Sequence, residues 1–419
     1  MNKIKLPMTT TQLTYEPLEE KGAASLSLCN GFLLKGNYDI ERMKRAVEKL
    51  YERHDVLRMV MKKDSDKPYL VIDDNISLGL DVIELESSDR DSRYAEAMND
   101  SRIRVRENIA FSNKGMYRFW AYEIADDELM IVYVANHCGT DGSSMAILNG
   151  EIEMLYENPD RTDIPTSSSF EDFLMERKSY INSNEYKKDG EYWKNLKMGC
   201  ETVDIPLPEQ KYDECIAMEL GAYTVPLDKI NKIARVNKTS NFNVVFLMLR
   251  LAIAELTKKK DISMTYIFAS RMNPKYRGTF GFVAQGAVSR TKIVEDLTWK
   301  DTLKEVKNGM NEGLRHINSS DSVDFDEFLL SYMPKTSSKL KTTFADLECV
   351  PFVLHPVARF KSRLFAVIAT EISNVLYLYP MCDVNVYGPE FIQAFNGIIN
   401  RYTEMIVENP DITIKELIK

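Results

Sequence analysis

Hydrophobic and polar positions follow two rhythms along this chain. Residues 25–34 (SLSLCNGFLL) predict a strand, after which Asp39 is placed to cap a helix whose apolar face is Ile40, Met43, Val47 and Leu50. From Arg58 the pattern turns strand-like, and KKDSDKP supplies a turn before YLVI, which predicts a hairpin. Glu128–Asn136 (ELMIVYVAN) is a β-branched and aromatic run, and Ser143–Tyr156 returns to helical spacing through Ile147, Ile152 and Leu155. A strand, a tight loop and a helix therefore follow in order.

Residues 158–169 are rich in Pro, Asp, Thr and Ser and read as a surface connection. The helical segments FEDFLMERKSYI and EYWKNL come next and are expected to bridge two lobes, with a boundary near residue 180. Further on, 227–236 and 243–256 predict helices and ISMTYIFA a strand, while KKKD at 258–261 reads as a solvated helix end. No repeat of solenoid length is present. At 419 residues the chain exceeds the size at which one core keeps growing, so two domains are expected, 1–180 and 181–419.

Composition narrows the function. A content of 44% hydrophobic and 28% charged residues is that of a globular protein with large cores. A formal charge of -9 argues against a nucleic-acid backbone as the ligand. The longest apolar segment, Val244–Leu256, is interrupted by Arg250 and too short to span a bilayer. The start, MNKIKLPMTTTQ, lacks the features of a secretory signal, which implies a cytoplasmic protein with reduced thiols. Cys29, Cys138, Cys200, Cys215, Cys349 and Cys382 lack metal-ligand spacing, and His54, His316 and His355 have no companion ligands nearby, so no metal site is expected.

Candidate chemistry concentrates in residues 136–144, Asn-His-Cys-Gly-Thr-Asp-Gly-Ser-Ser. His137 ends an apolar strand, and neutral imidazole, with a reference pKa of about 6.5, can take a proton from a nucleophile. Gly139 and Gly142 allow a tight loop, and the helix that follows brings its positive end toward a developing oxyanion. The same residues would equally make a core histidine beside a helix capped by Asp141. Cys138 is a poor candidate nucleophile, because neighbours at a strand end point to opposite faces.

The segment HCGTDGSSMAIL (137–148) resembles the HHxxxDGxSxxxL signature of nonribosomal peptide synthetase condensation domains, with Asn136 in place of the first histidine. LTYEPLEEKG (13–22), the stretch from Asn30 to Arg58, FEDFL with EYWKNL, and SRMNPKYRGTFGFVAQGAVSR (270–290) resemble further segments of that family in the right order. The resemblance implies an α/β fold of two chloramphenicol acetyltransferase-like lobes forming a V-shaped pseudo-dimer with a tunnel at the junction. His137 would be the base and the Gly142 amide an oxyanion donor. Asp141 would hold the loop by pairing with an arginine, Arg58 first and Arg290 second, while Asn136 would be structural. Ser144 and Gln285, the latter standing where the family usually has Asn, would line the substrate path.

The activity so implied is acyl transfer from a phosphopantetheine thioester, on coenzyme A or on a carrier protein supplied in trans, to an amine or hydroxyl of a small-molecule or carrier-bound acceptor. No permanently bound cofactor is expected. The alternative is a non-catalytic module that binds carrier proteins or recruits a partner enzyme, and the loss of the first histidine is its motive.

Overall fold

The apolar run 128–136 becomes a strand buried on both faces, around which the first sheet is built in the computed structural model. The structure describes residues 4–13, 27–65, 67–76, 79–105, 115–201, 203, 222–334, 342–354 and 363–418. His355, Cys215 and most of the 13–22 segment lie outside the described residues.

The chain divides into two units. The first comprises Met1–Tyr180, Ala269–Ala284 and Lys339–Ala358, so two segments from the second half of the sequence belong to it; the second comprises Ile181–Phe268, Gln285–Ser338 and Arg359–Lys419. In the first unit the strands are β1 (Ser27–Lys35), β2 (Met59–Asp64), β3 (Lys67–Ile72), β4 (Leu80–Val82), β5 (Tyr117–Ala125) and β6 (Glu128–Asn136), and the helices are α1 (Ile40–Arg53), α2 (Arg90–Arg104), α3 (Gly142–Glu157) and α4 (Phe170–Ile181). A six-stranded sheet runs in the order Thr343–Phe344, Leu347–Val353, β1, β6, β5, β4, and β2 and β3 form the expected hairpin.

Strand alternation explains why β6 has no polar face. Leu129, Ile131, Tyr133 and Ala135 enter one core together with the apolar faces of α1 and α3, and Met130, Val132 and Val134 enter another on the opposite side with Ala97 of α2. Asp39 caps α1 as its position predicts, accepting the Arg42 N–H at 2.9 Å. The second unit has its own mixed six-stranded sheet and a separate core, in which the helix Asn241–Thr257 is buried almost throughout. No single helix among the described residues is long and apolar enough to cross a membrane.

Candidate active site

β6 ends at Asn136, opposite Ser27 of β1, and the chain turns at once. The Asn136 N–H donates to the Met116 carbonyl at 2.8 Å, and its own carbonyl accepts from Gly139 N–H at 3.0 Å. His137 sits in this turn with part of its surface exposed. Its Nδ1 lies 2.8 Å from the Thr140 carbonyl oxygen. A carbonyl only accepts, so Nδ1 carries the proton and Nε2 holds the lone pair. The ring also meets Phe282 edge-on, with centroids 5.2 Å apart. Burial holds its pKa below the ordinary 6.5, against the opposing pull of Asp141 and the loop hydrogen bonds. The imidazole is therefore neutral at pH 7, the form a general base requires.

Asp141 has two tasks. It is the N-cap of α3, its Oδ1 accepting the Ser144 N–H at 2.9 Å. Only 2% exposed, it is also held by Arg271, whose Nη1 and Nη2 reach Oδ2 and Oδ1 at 2.8 and 2.9 Å. The main-chain N–H groups of Val283 and Ala284 donate to Oδ2 at 3.0 and 2.9 Å. A two-pronged guanidinium with added backbone donors is the arrangement that makes a buried carboxylate tolerable.

This corrects the expected pairing. Arg58 instead binds Asp74 at 2.6 Å near the surface, because it lies in the short turn leading into β2. Arg290 is in the second unit, clasping Asp261 at 2.7 Å and the carbonyls of Leu196, Met198 and Gly199. Arg58→Ala is accordingly expected to change stability by less than about 1 kcal/mol, since Asp74 is exposed; denaturant unfolding checks this.

Ser144 is also moved by the structure. Expected on the substrate wall, it is fully buried, with its hydroxyl 3.0 Å from Asp141 Oδ1 and 2.7 Å from the Gly281 carbonyl while accepting from Gly281 N–H at 3.0 Å. It braces the loop rather than facing a ligand. Gln285 opens the strand Gln285–Arg290 of the second unit, opposite Phe268, and is half-buried.

Gly142 begins α3, and its amide has no hydrogen-bond partner among the described residues, as expected of a first-turn N–H. A Cβ built there would meet nothing within 4 Å, so space is open beside that amide. Gly281 differs: with φ of +155° and the Phe170 ring 2.3 Å from an added Cβ, it admits only glycine. Of the other histidines, His54 Nε2 lies 2.9 Å from Glu151 and His316 Nδ1 3.2 Å from Asp189. No group of three or more His, Cys, Asp or Glu among the described residues is placed to hold a metal ion.

Residues 5–344 match the family model of the condensation domain. Bacitracin synthase 3 of Bacillus licheniformis is 22% identical over 69% of this chain, and surfactin synthase subunit 2 of Bacillus subtilis is 22% identical over 98%. The chain spans only 4% and 12% of those two proteins. Among solved structures, the starter condensation domain of rhizomide synthetase superposes with a TM-score of 0.80 at 12% identity, covering 98% of each chain. The first condensation domain of the calcium-dependent antibiotic synthetase gives 0.77 at 13%, covering 99% of this chain and 98% of that one. The fold class is thus the two-lobed chloramphenicol acetyltransferase-like one that the sequence implies.

Proposed function

The chain belongs to the condensation-domain family, and from that premise we propose that it is an acyltransferase in which His137 deprotonates an amine or hydroxyl as it attacks a phosphopantetheine thioester. The observation that carries this reading is His137 Nδ1 at 2.8 Å from the Thr140 carbonyl, which puts the proton on Nδ1 and makes Nε2 the nitrogen at which the neutral ring accepts a proton.

With an amine acceptor the reaction passes through a tetrahedral intermediate. The nitrogen attacks the thioester carbonyl carbon, a C–N bond forms, and the departing N–H proton goes to Nε2. The carbonyl electrons move to oxygen, and the Gly142 amide at the positive end of α3 is the donor assigned to that oxyanion. The intermediate then collapses with C–S cleavage, and the thiolate takes the proton from Nε2 to leave as a thiol. A hydroxyl acceptor follows the same path to an ester. Asp141 and Arg271 touch no reacting atom in this scheme; they hold the loop.

Both sources of the donor, coenzyme A and a carrier protein, share the phosphopantetheine arm. Two variants of the starter condensation domain of rhizomide synthetase have been solved, one with C8-CoA and the other with C8-CoA and Leu-SNAC together. Those two compounds are therefore the first probes. Octanoyl transfer to Leu-SNAC, followed by mass spectrometry and by thiol release, supports the reading. A protein that transfers no octanoyl group from coenzyme A or from a loaded carrier, yet binds the carrier, is the non-catalytic module instead.

A pH dependence follows from the lowered pKa of His137. Because only neutral imidazole accepts a proton, kcat/KM should be flat with respect to this group at neutral pH and fall on an acid limb below 6.5. An amine acceptor adds its own limb, which moves when the acceptor is exchanged for one of different pKa; the His137 limb stays in place. A stationary limb above 6.5 would contradict the assignment.

A further inference from the structure

Cys138, the residue after His137, has both of its main-chain polar groups held by buried amide side chains. Its N–H donates to Asn136 Oδ1 at 2.8 Å. Its carbonyl accepts from Gln12 Nε2, which comes from the N-terminal segment. Asn136 is 1% exposed and Gln12 0%. Gln12 is itself fixed: its Oε1 accepts the Thr9 N–H at 2.8 Å, while its own N–H donates to Thr9 Oγ1 at 3.2 Å. With Oε1 so engaged, the amide can present only Nε2 to the Cys138 carbonyl.

The peptide planes are what these bonds control. The Cys138 N–H belongs to the peptide that leaves His137, so Asn136 sets the backbone torsion of His137 directly, through a side chain that accepts from the residue two positions on. Gln12 sets the next peptide. The Tyr117 hydroxyl, donating to the Gly139 carbonyl at 2.9 Å, sets the one after that. The Thr140 carbonyl, which receives the His137 Nδ1–H, is thereby delivered to a fixed place.

We propose that Asn136 and Gln12 are positioning residues that clamp Cys138 from both sides and so select the His137 tautomer with Nδ1 protonated. Asn136 thus takes up, by an amide oxygen, the loop-holding work at a position where the family signature has histidine. The inference rests on the reading of His137 as the base, but its first readout does not depend on turnover.

That readout is the nitrogen NMR spectrum of the full chain labelled at histidine, which has four histidines, with His137 assigned by its absence in His137→Gln. Wild type should show one neutral tautomer at His137, Nδ1 protonated. Asn136→Ala and Gln12→Met should each give a mixture of tautomers. Asn136→Asp, which keeps an acceptor oxygen, should restore the single one. In octanoyl transfer the Ala and Met variants should lose about 10- to 100-fold in kcat with KM for the donor little changed, as a displaced reacting group does. Gln12→Met acts from the other side of the loop and keeps the test open if Asn136→Ala does not fold. Folded Asn136→Ala and Gln12→Met proteins that both retain the pure Nδ1–H tautomer would overturn the clamp. Mixed tautomers with unchanged kcat would leave the clamp standing and remove His137 as the base.

Discussion

His137→Ala should lower acyl transfer by about 10²–10⁴-fold while leaving the protein folded. The rate effect is large because the ring is the only group in the proposed scheme that accepts the nucleophile's proton. The structural effect is small because the ring lies at a strand-end turn with part of its surface exposed, where its contacts include a hydrogen bond to Thr140 and an edge contact with Phe282. Loss of such a hydrogen bond costs on the order of 1 kcal/mol. The size of the rate loss reports on the acceptor. A hydroxyl must surrender its proton during attack and should show the upper end of the range. An amine already deprotonated at the working pH needs orientation more than proton removal and should show the lower end. Steady-state rates with one acceptor of each kind make this comparison.

The largest effect on stability belongs to Arg271→Ala, expected to destabilise the chain by about 3–5 kcal/mol. Both partners are buried, with 8% of the Arg271 side chain and 3% of the Asp141 side chain exposed, so the substitution leaves a carboxylate without its cation. Arg271 also donates to the Thr279 carbonyl at 3.1 Å, a bond that is lost as well, while Ser144 Oγ, 3.1 Å from Arg271 Nη2, keeps the Gly281 N–H. Asp141→Asn removes the charge while keeping an oxygen for the Ser144 N–H, so combined with Arg271→Ala it should cost less than the sum of the two single changes. Urea unfolding of the four proteins in this cycle gives the coupling directly. Additive effects would mean that the ion pair is not what holds the loop.

The local part of this site was legible in the chain. An unbroken apolar strand, two glycines, and an Asp three residues before Ser144 announce a strand end, a tight turn and a capped helix, and β6 and α3 form there. The partner of Asp141 was not legible, because it lies 130 residues away. Arginines occur at several points in the matching segments, and no periodicity marks which one comes back. The cue, visible only once the strands are placed, is that the strand formed within ISMTYIFA ends at Phe268 and residues 269–284 belong to the first unit, whereas Arg290 sits in a strand of the second sheet. Gln12 escaped for the same reason, since a single amide in a polar N-terminal stretch has no pattern to betray the carbonyl it binds. Ser144 departs from the place the resemblance implies because in the fold the Gly281 backbone lies against its hydroxyl, a contact 137 residues away in sequence.

One paired measurement decides whether His137 serves acyl transfer from a phosphopantetheine thioester. Wild type and His137→Ala, both shown to be folded, are given octanoyl-coenzyme A and octanoyl-loaded carrier protein with Leu-SNAC, and the octanoylated product is quantified by mass spectrometry. Product is expected from at least one donor with wild type, and a rate lower by about 10²-fold or more with the variant. Equal rates from the two proteins, or no product from wild type with either donor, would contradict that role.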